Sequence, residues 1–432
     1  MVDQPDAEAG DDMTLWQHEW RLLTRQRLAV VSIILLAVLS AAAVFAGLAE
    51  VQRQQHVIER IQPQQRADEA AIARWVSVDG DPGNAAYYTA HATWDSPTAM
   101  AFAALGQRDV APYVLRVRAL GLEGQLQESE SYNAELALPG RFDWAFVLTY
   151  LLPIFLIGLL HDSKSSEREA GRAQMLALMA RSPILLWGRR IALRAGLSWL
   201  ALTLPLAIGA TLAGASVAQA LPFALTGLAY TLIWTLLILL ITRAARASVA
   251  NAAILSALWL LVTLILPTLA LLAINDRHPV RQGVELTLAQ REKVHAGWDR
   301  PKDETMASFV SLYPEWADLA KVEGGFHWKW YYAFQHLGDQ AVAPQASAYR
   351  QALLARDAET RALGWVLPAV GVQYRLHRFA ETDLSAQLAY QDRIRRFHEQ
   401  LRRFYYPYIF NERPFREADF SRAPRWPTVS GE

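Results

Sequence analysis

The sequence predicts an all-α polytopic membrane protein, with five transmembrane helices and two mainly helical α+β extracytoplasmic regions. Three observations predict this class. Apolar residues make up 53% of the 432 residues. They concentrate in runs of the length, about 20 helical residues, that a bilayer core of about 30 Å requires. Long mixed polar stretches follow the first and the last of these runs, so the chain combines membrane and water-exposed parts.

The five predicted spans are residues 28–49, 142–160, 191–214, 221–242 and 252–275. The first run is too long for a cleaved signal peptide and is predicted to be an uncleaved anchor. The span interiors lack ionisable residues, and Arg194 lies near enough to one edge to reach the interface. Because ion-coupled transporters bind their ions at ionisable groups inside the bilayer, this pattern disfavours ion-coupled transport.

The positions of the basic residues predict the orientation of the spans. Arg21, Arg25 and Arg27 precede the first span, and Arg243 and Arg246 lie between the fourth and fifth. The segment between the second and third spans is also basic, whereas "ASVAQA" between the third and fourth is uncharged. The positive-inside rule then places the N-terminus in the cytoplasm and residues 50–141 and 276–432 outside. We expect a bacterial inner membrane protein with two large periplasmic regions.

Residues 1–27 are predicted to form a cytoplasmic tail and an interfacial elbow helix. The first twelve residues are acidic and aperiodic, which is typical of a disordered tail. In "MTLWQHEWRLLTRQR", Trp16, Trp20 and Leu23 share one helical face, which predicts a helix lying in the membrane interface. The alternative is an ordinary basic flank.

The two outside regions are each long enough to bury a core. In the first, "QRDVAPYVLRVRAL" alternates apolar positions and predicts a short strand. In the second, the apolar spacing predicts a helix from Asp383 to Tyr406, ended by Pro407. The opposite face of that helix is basic and is expected to be solvated surface; its residues are Arg393, Arg396, Arg402 and Arg403.

Composition and motifs argue against several functions. Forty-two basic residues balance 42 acidic ones, which disfavours nucleic-acid binding, and without cysteine there is no disulfide or thiolate chemistry. The chain contains no GxxxxGK[ST], HExxH or GxSxG motif, so we assign no catalytic, cofactor-binding or metal-binding residue.

His327 and His336 have no metal-ligand spacing. The surrounding aromatic run, "FHWKWYYAF", is expected to be core or interfacial belt, with a ligand platform as the alternative.

Residues 161–190, which join the second and third spans, are far longer than a simple turn requires. Ser166 followed by Glu169 is a capping-box pattern, and it predicts a helix over 166–180 with Glu167 at its positive end. Met175 and Leu178 then form an apolar strip.

Ser182 before Pro183 predicts a second helix that leads into the third span. A charged helix with an apolar flank suits a groove on another protein. Packing against neighbouring membrane helices is the alternative.

The segment "GRFDWAFVLTYLLPIFLIGLLHDSKSSEREAGRAQMLALMARSP" resembles type-2 ABC exporter permeases, in the branch with an enlarged uncharacterised periplasmic domain. The membrane-boundary motif is matched by Gly140, Arg141, Phe142 and Asp143. The coupling-helix motif is matched by Ser166, Glu167, Arg168, Glu169 and Gly171, while Arg172 replaces the family threonine. "TWDSPTAMAFAALGQRDVAPY" and "QDRIRRFHEQLRRFYYPYIF" extend the resemblance over most of the chain from Met13.

The resemblance implies a non-catalytic permease subunit of an ATP-driven exporter. It implies cytoplasmic ABC ATPase subunits, which bind ATP and Mg²⁺, and a second permease subunit in a homo- or heterodimer. The residues that would dock on the ATPase are Ser166, Glu167, Arg168, Glu169, Gly171, Arg172, Met175 and Leu178. Pro153, Pro205 and Pro267 lie inside spans and would permit helix bends.

The family normally has a sixth span after a segment like "RAPRWP", and residues 361–374 are too short and interrupted to replace it. A membrane-anchored periplasmic scaffold or sensor without transport activity remains the alternative function. The substrate stays open.

Overall fold

The computed structural model describes residues 6–127, 142–179, 182–244, 246–279 and 283–427. The first described elements are α1 (Asp6–Arg25), α2 (Arg27–Asp79), α3 (Pro82–Tyr88), β1 (His91–Trp94), β2 (Val114–Val117), α4 (Leu122–Gln127), α5 (Trp144–Phe146), α6 (Leu152–Leu160), α7 (Ser165–Glu169) and α8 (Ala173–Met179). The others are α9 (Pro183–Leu212), α10 (Val217–Thr242), α11 (Ser248–Leu260), α12 (Leu266–Arg277), α13 (Gly283–Ala296), α14 (Lys302–Leu312), α15 (Trp328–Leu363), α16 (Pro368–Phe379), α17 (Leu384–Phe410) and α18 (Glu417–Phe420).

The prediction of an all-α polytopic membrane protein is confirmed. Within the described residues, five helical stretches are long and apolar enough to cross a membrane: Arg27–Val76, Trp144–Glu169, Ile184–Leu212, Val217–Thr242 and Ser248–Arg277. We call the side of the spans where α1, α7 and the start of α11 lie the basic side. The opposite side, the domain side, adjoins an extramembrane domain formed by residues 50–127, 278–279 and 283–427.

The first span continues without a break into the extramembrane domain. Helix α2 has 53 residues, with Pro63 inside it, and it ends at Gly80, whose φ of 66° is the left-handed conformation that glycine tolerates. At about 1.5 Å per residue, α2 is far longer than a bilayer core of about 30 Å. The membrane and the domain are therefore connected by one rigid element.

The second and fifth spans each contain a π-helical turn just before a proline. The turns are Val147–Leu151, before Pro153 in α6, and Leu261–Ile265, before Pro267 in α12. Because proline has no N–H to donate, a widened turn is one way to accommodate it inside a helix. Pro205 differs, since it lies within the unbroken helix α9.

The two outside regions share one core, contrary to the expectation of two. β1 and β2 pair antiparallel, with Trp94 opposite Val114, which confirms the predicted strand. Trp94 belongs to the same buried cluster as Tyr390 and Trp426, and its backbone oxygen accepts a hydrogen bond from Trp426 Nε1 at 2.8 Å. Neither region completes this core alone, because its aromatic residues come from both.

Helix α17 corrects two expectations. It begins after Asp383, whose side chain accepts from the backbone N–H of Ala386, but it continues through Pro407 to Phe410. Burial of Phe410 in the shared core compensates for the hydrogen bond that proline cannot make. Arg402 is not solvated surface either, since its guanidinium contacts the buried Asp339 carboxylate at 2.6 Å.

Residues 361–374 do not form a span, but part of them packs on the spans. Val372 and Leu376 of α16, with Ala380 just after it, belong to the buried cluster of the membrane helices. Phe379 contacts Phe223 of α10, with ring centroids 6.0 Å apart. Helix α16 therefore attaches the extramembrane domain to the domain side of the spans.

The N-terminal helix also differs from expectation. α1 begins at Asp6, so the acidic residues that follow Asp6 are helical rather than irregular. Its buried face is formed by Glu19 and Leu23, whereas Trp16 and Trp20 are exposed. The Glu19 side chain is drawn inward by an ion pair with Arg190, while the two tryptophans are left for surroundings outside the chain, and the interfacial position of α1 stays a prediction.

Candidate functional site

The predicted coupling helix is two short helices rather than one. α7 ends at Glu169, Gly171 adopts a φ of 72°, and α8 begins at Ala173. A left-handed glycine at this position ends a helix, so the expected continuous helix over 166–180 is wrong. The capping box is wrong as well, because Ser166 lies inside α7 and its Oγ donates to the backbone oxygen of Asp162 at 2.7 Å.

Glu167 is bound within the chain. Its Oε2 accepts from Arg172 Nε at 2.8 Å, and its Oε1 accepts from Arg190 Nη1 at 3.3 Å. The same Arg190 donates from Nε to Glu19 Oε2 of α1 at 3.2 Å. One arginine of α9 thus holds both α1 and α7 to the third span, and Arg172 closes the group.

Glu169 links α7 to the fifth span. Its Oε1 accepts from the backbone N–H of Ser248 at 2.7 Å and from Ser248 Oγ at 3.1 Å. Ser248 is the first residue of α11, where unpaired N–H groups favour a carboxylate. Arg168 adds a hydrogen bond to the backbone oxygen of Arg246, and Ser165 Oγ lies 2.8 Å from Ser248 Oγ.

Arg194 fastens the junction of α1 and α2 to the second and third spans. Its guanidinium donates to Gln26 Oε1 at 2.7 Å, to the backbone oxygen of Leu159 at 2.5 Å and to Ser163 Oγ at 3.2 Å. The side chain is buried, so it does not reach out to the interface as expected. Its charge is satisfied by oxygen atoms of the basic side.

Helix α8 carries the part of the segment that the chain leaves uncovered. Met175 is 55% exposed and Leu178 is 88% exposed. Three residues apart on a helix, they lie on the same face. The segment therefore has two parts: α7, which is hydrogen-bonded to the spans, and α8, which presents an apolar pair to its surroundings.

The membrane-boundary motif lies on the domain side. Asp143 caps α5 by accepting from the backbone N–H of Phe146 at 2.9 Å, and it also accepts from the backbone N–H of Leu105 at 2.9 Å. The Phe142 ring contacts the Phe146 ring in a tilted arrangement, with ring centroids 5.5 Å apart. Gly140 and Arg141 lie outside the described residues. Asp143 thus ties the second span to the extramembrane domain.

The aromatic run after Phe326 is mostly core. Trp330, Tyr332 and Phe334 are buried in the domain cluster, whereas Phe326 is half exposed. His336 is buried, and its Nε2 lies 3.0 Å from the hydroxyl oxygen of Tyr313.

Burial lowers the pKa of His336 to about 3, so this side chain is neutral at physiological pH. Among the residues that the structure describes, no group of three or more His, Cys, Asp or Glu side chains could hold a metal ion.

Two family models match the chain. Residues 14–63 match the N-terminal TM domain of oligopeptide transport permease C, and residues 284–428 match a domain of unknown function, DUF3526. No curated protein and no solved structure matched in the comparisons. The first match begins within α1 and ends within α2. It supports an ABC transporter permease, a class of multi-pass membrane proteins that is generally non-catalytic and works with an ABC ATPase.

Proposed function

We propose that the chain is the permease subunit of an ATP-driven exporter in a bacterial inner membrane. In this proposal the basic side is cytoplasmic, and the extramembrane domain lies in the periplasm. The basic residues around the short loops support this orientation, and the resemblance to type-2 exporter permeases supports the direction of transport. ATP and Mg²⁺ are bound by a separate ATPase subunit.

The observation that carries the proposal is the contrast between α7 and α8. α7 is bonded to α9 through Glu167 and Arg190, and to α11 through Glu169 and Ser248. α8 instead exposes an apolar pair suited to a groove on another protein. A push on α8 from a closing ATPase would reach the third and fifth spans, together with α1, as a rigid-body displacement.

The fifth span supports a second permease subunit as a further partner. Its most hydrophobic window is only 11% buried within the chain, less than in the other four spans. An apolar helix face of that extent suits either lipid or another apolar helix. We therefore place the dimer contact of the permease at the fifth span.

The docking role can be tested with Leu178→Asp. We expect the tagged variant, purified in mild detergent, to lose most of the ATPase subunit that accompanies the unaltered chain, because a charge would enter an apolar contact. Val78→Asp is the matched control, since Val78 is 81% exposed but lies at the end of α2, on the extramembrane domain. The ATPase would be identified by its phosphate-binding GxxxxGK[ST] motif and by its ATP hydrolysis.

Two results would contradict the proposal. If the unaltered chain brings down no such ATPase, the membrane-anchored scaffold or sensor becomes the better interpretation. If Leu178→Asp and Val78→Asp retain the ATPase equally, the subunit binds elsewhere and α8 is not its docking site.

A further inference from the structure

A cavity of about 790 Å³ lies in the extramembrane domain between α15, α16 and α17. The cavity is open to one side, and its size falls in the range of small-molecule pockets, about 300–1,000 Å³. Each of the three helices contributes one stripe of side chains to the lining of the cavity. The stripe of α17, for example, is Leu384, Gln387, Leu388 and Gln391, at helical spacing.

Helix α16 separates the cavity from the spans. Val370, Gln373, Tyr374 and His377 line the cavity from one face of α16. The other face packs on the membrane helices, as described above. Gln373 also accepts a hydrogen bond from Tyr150 of the second span at 3.5 Å, so the cavity lies one side chain away from the membrane part.

The lining has an apolar wall and a polar wall. Leucines form the apolar wall: Leu115, Leu353, Leu384 and Leu388. Side-chain amides and a phenol form the polar wall: Gln373, Gln387, Gln391 and Tyr374. Amides and hydroxyls both donate and accept hydrogen bonds, so the polar wall suits an uncharged head group that does the same.

The charged residues of the lining are bound by other groups of the chain. Arg356 Nε donates to the backbone oxygen of His278 at 2.8 Å. The Asp357 carboxylate accepts from the Tyr374 hydroxyl at 3.3 Å. Asp383 caps α17, and its Oδ2 accepts from Arg378 Nη1 at 3.1 Å.

His377 completes the lining without adding charge. Burial lowers its pKa to about 4, so the imidazole is neutral at pH 7. The lining carries one guanidinium and two carboxylates, each already hydrogen-bonded within the chain, so it has no cluster of one charge sign to attract an ion. The lining thus favours an uncharged ligand.

The surroundings of the cavity indicate a lipid source for the ligand. The turn between α15 and α16 exposes Trp365 and Val366, and the Arg375 guanidinium lies 5.5 Å from the centre of the Trp365 ring. A tryptophan beside an arginine is typical of the membrane–water interface. The apolar surface of the fifth span, including Leu271 and Leu272, is exposed nearby on a helix that contacts α15.

We propose that this cavity binds an uncharged amphipathic lipid of the monoacylglycerol type. The apolar chain lies along the leucine wall, and the hydroxyl groups of the head bind the glutamine amides and Tyr374. The site does not depend on ATPase docking. Within an exporter it would be the place where a neutral amphiphile meets the extramembrane domain.

The test uses the full chain in phosphatidylcholine nanodiscs with a diazirine-bearing monoacylglycerol. After photolysis, we expect labelled peptides from α15, α16 and α17, and competition by unlabelled monoacylglycerol. Leu353→Trp and Leu388→Trp fill the cavity and should each lower labelling about tenfold, a loss of about 1.4 kcal/mol in binding. Leu354→Trp is the matched control, because the neighbouring Leu354 is exposed and does not line the cavity.

Two outcomes would overturn the inference. One is equal labelling of the three tryptophan variants and the unaltered chain. The other is labelling that a neutral capped peptide displaces and unlabelled monoacylglycerol does not. Thermal melting of each variant tests whether a loss of labelling comes from unfolding of the chain. Because Leu353→Trp leaves α8 unchanged, ATPase binding to this variant separates failure of the lipid site from failure of the transporter proposal.

Discussion

Arg190→Met tests whether one buried arginine holds the basic side together. The side chains of Arg190 and Glu19 are only 10% and 5% exposed, and their charged groups are 3.2 Å apart. At an effective dielectric constant of about 20, attraction over that distance amounts to roughly 5 kcal/mol before desolvation is counted. Removing the arginine leaves the Glu19 carboxylate buried without its cation, which typically costs about 3–5 kcal/mol.

The double variant Glu19→Gln with Arg190→Met should recover more than half of that loss, since it leaves no buried carboxylate without a cation. Glu167 contributes less to the loss because it keeps its contact with Arg172 at 2.8 Å. Reversible unfolding by SDS in mixed micelles, followed by tryptophan fluorescence, measures both changes. Arg243→Met, an exposed arginine on the same side, is the control and should change stability by less than about 0.5 kcal/mol.

Two results would refute this reasoning. If Arg190→Met is as stable as the unaltered chain, the contacts with Glu19 and Glu167 contribute nothing measurable to the free energy of unfolding. A double variant as unstable as the single one would mean that the loss came from packing rather than from an uncompensated carboxylate. Either result would remove the proposed link between α7 and α1.

His336→Gln should reduce the acid sensitivity of the chain. The buried His336 is neutral in the folded state, where its pKa is about 3, and its pKa in the unfolded chain is near 6.5. Between these two pH values the side chain therefore gains a proton on unfolding, which favours the unfolded state. The free energy of unfolding therefore falls as pH drops below about 6.5. Relative to the unaltered chain, the variant should recover about 1 kcal/mol of stability at pH 5.5 and nothing at pH 8, as measured by thermal melting at both pH values. Equal recovery at both pH values would contradict the titration of His336. Gly371→Ala should destabilise the attachment of α16 by about 1–3 kcal/mol, since its Cβ would lie 2.2 Å from the backbone oxygen of Gly364. The control is Gly188→Ala, where no atom lies within 4 Å of the added Cβ, and equal melting of both variants would contradict the close approach.

Local patterns predicted much of the fold. The five spans depend on the length and composition of continuous segments, and the structure confirms each of them. The strand at Val114–Val117, the helix start at Ser182 and the helix that begins near Asp383 were also predicted, because each depends on side chains within a few residues. Gly171 carried a local signal as well, since a glycine inside a short helical pattern is a possible helix end.

Long-range pairings were missed. Glu19 and Arg190 are 171 positions apart, and nothing in either neighbourhood indicates the other. Asp339 and Arg402 belong to different helices, so Arg402 was taken as solvated although it is buried. The continuation of α17 through Pro407 was missed for the same reason: burial against distant parts of the chain outweighs the local preference of proline to end a helix.

The sequence alone determined that the described part of the chain holds five helices long and apolar enough to cross a membrane, because the transfer of an apolar helix into lipid depends on its own length and composition. Only the tertiary structure decided that the two outside regions share a core, that α16 returns to the spans and that α7 is bound while α8 is exposed. Those outcomes depend on which distant surfaces meet, since ion pairing and close packing act only over a few ångströms once the chain has folded.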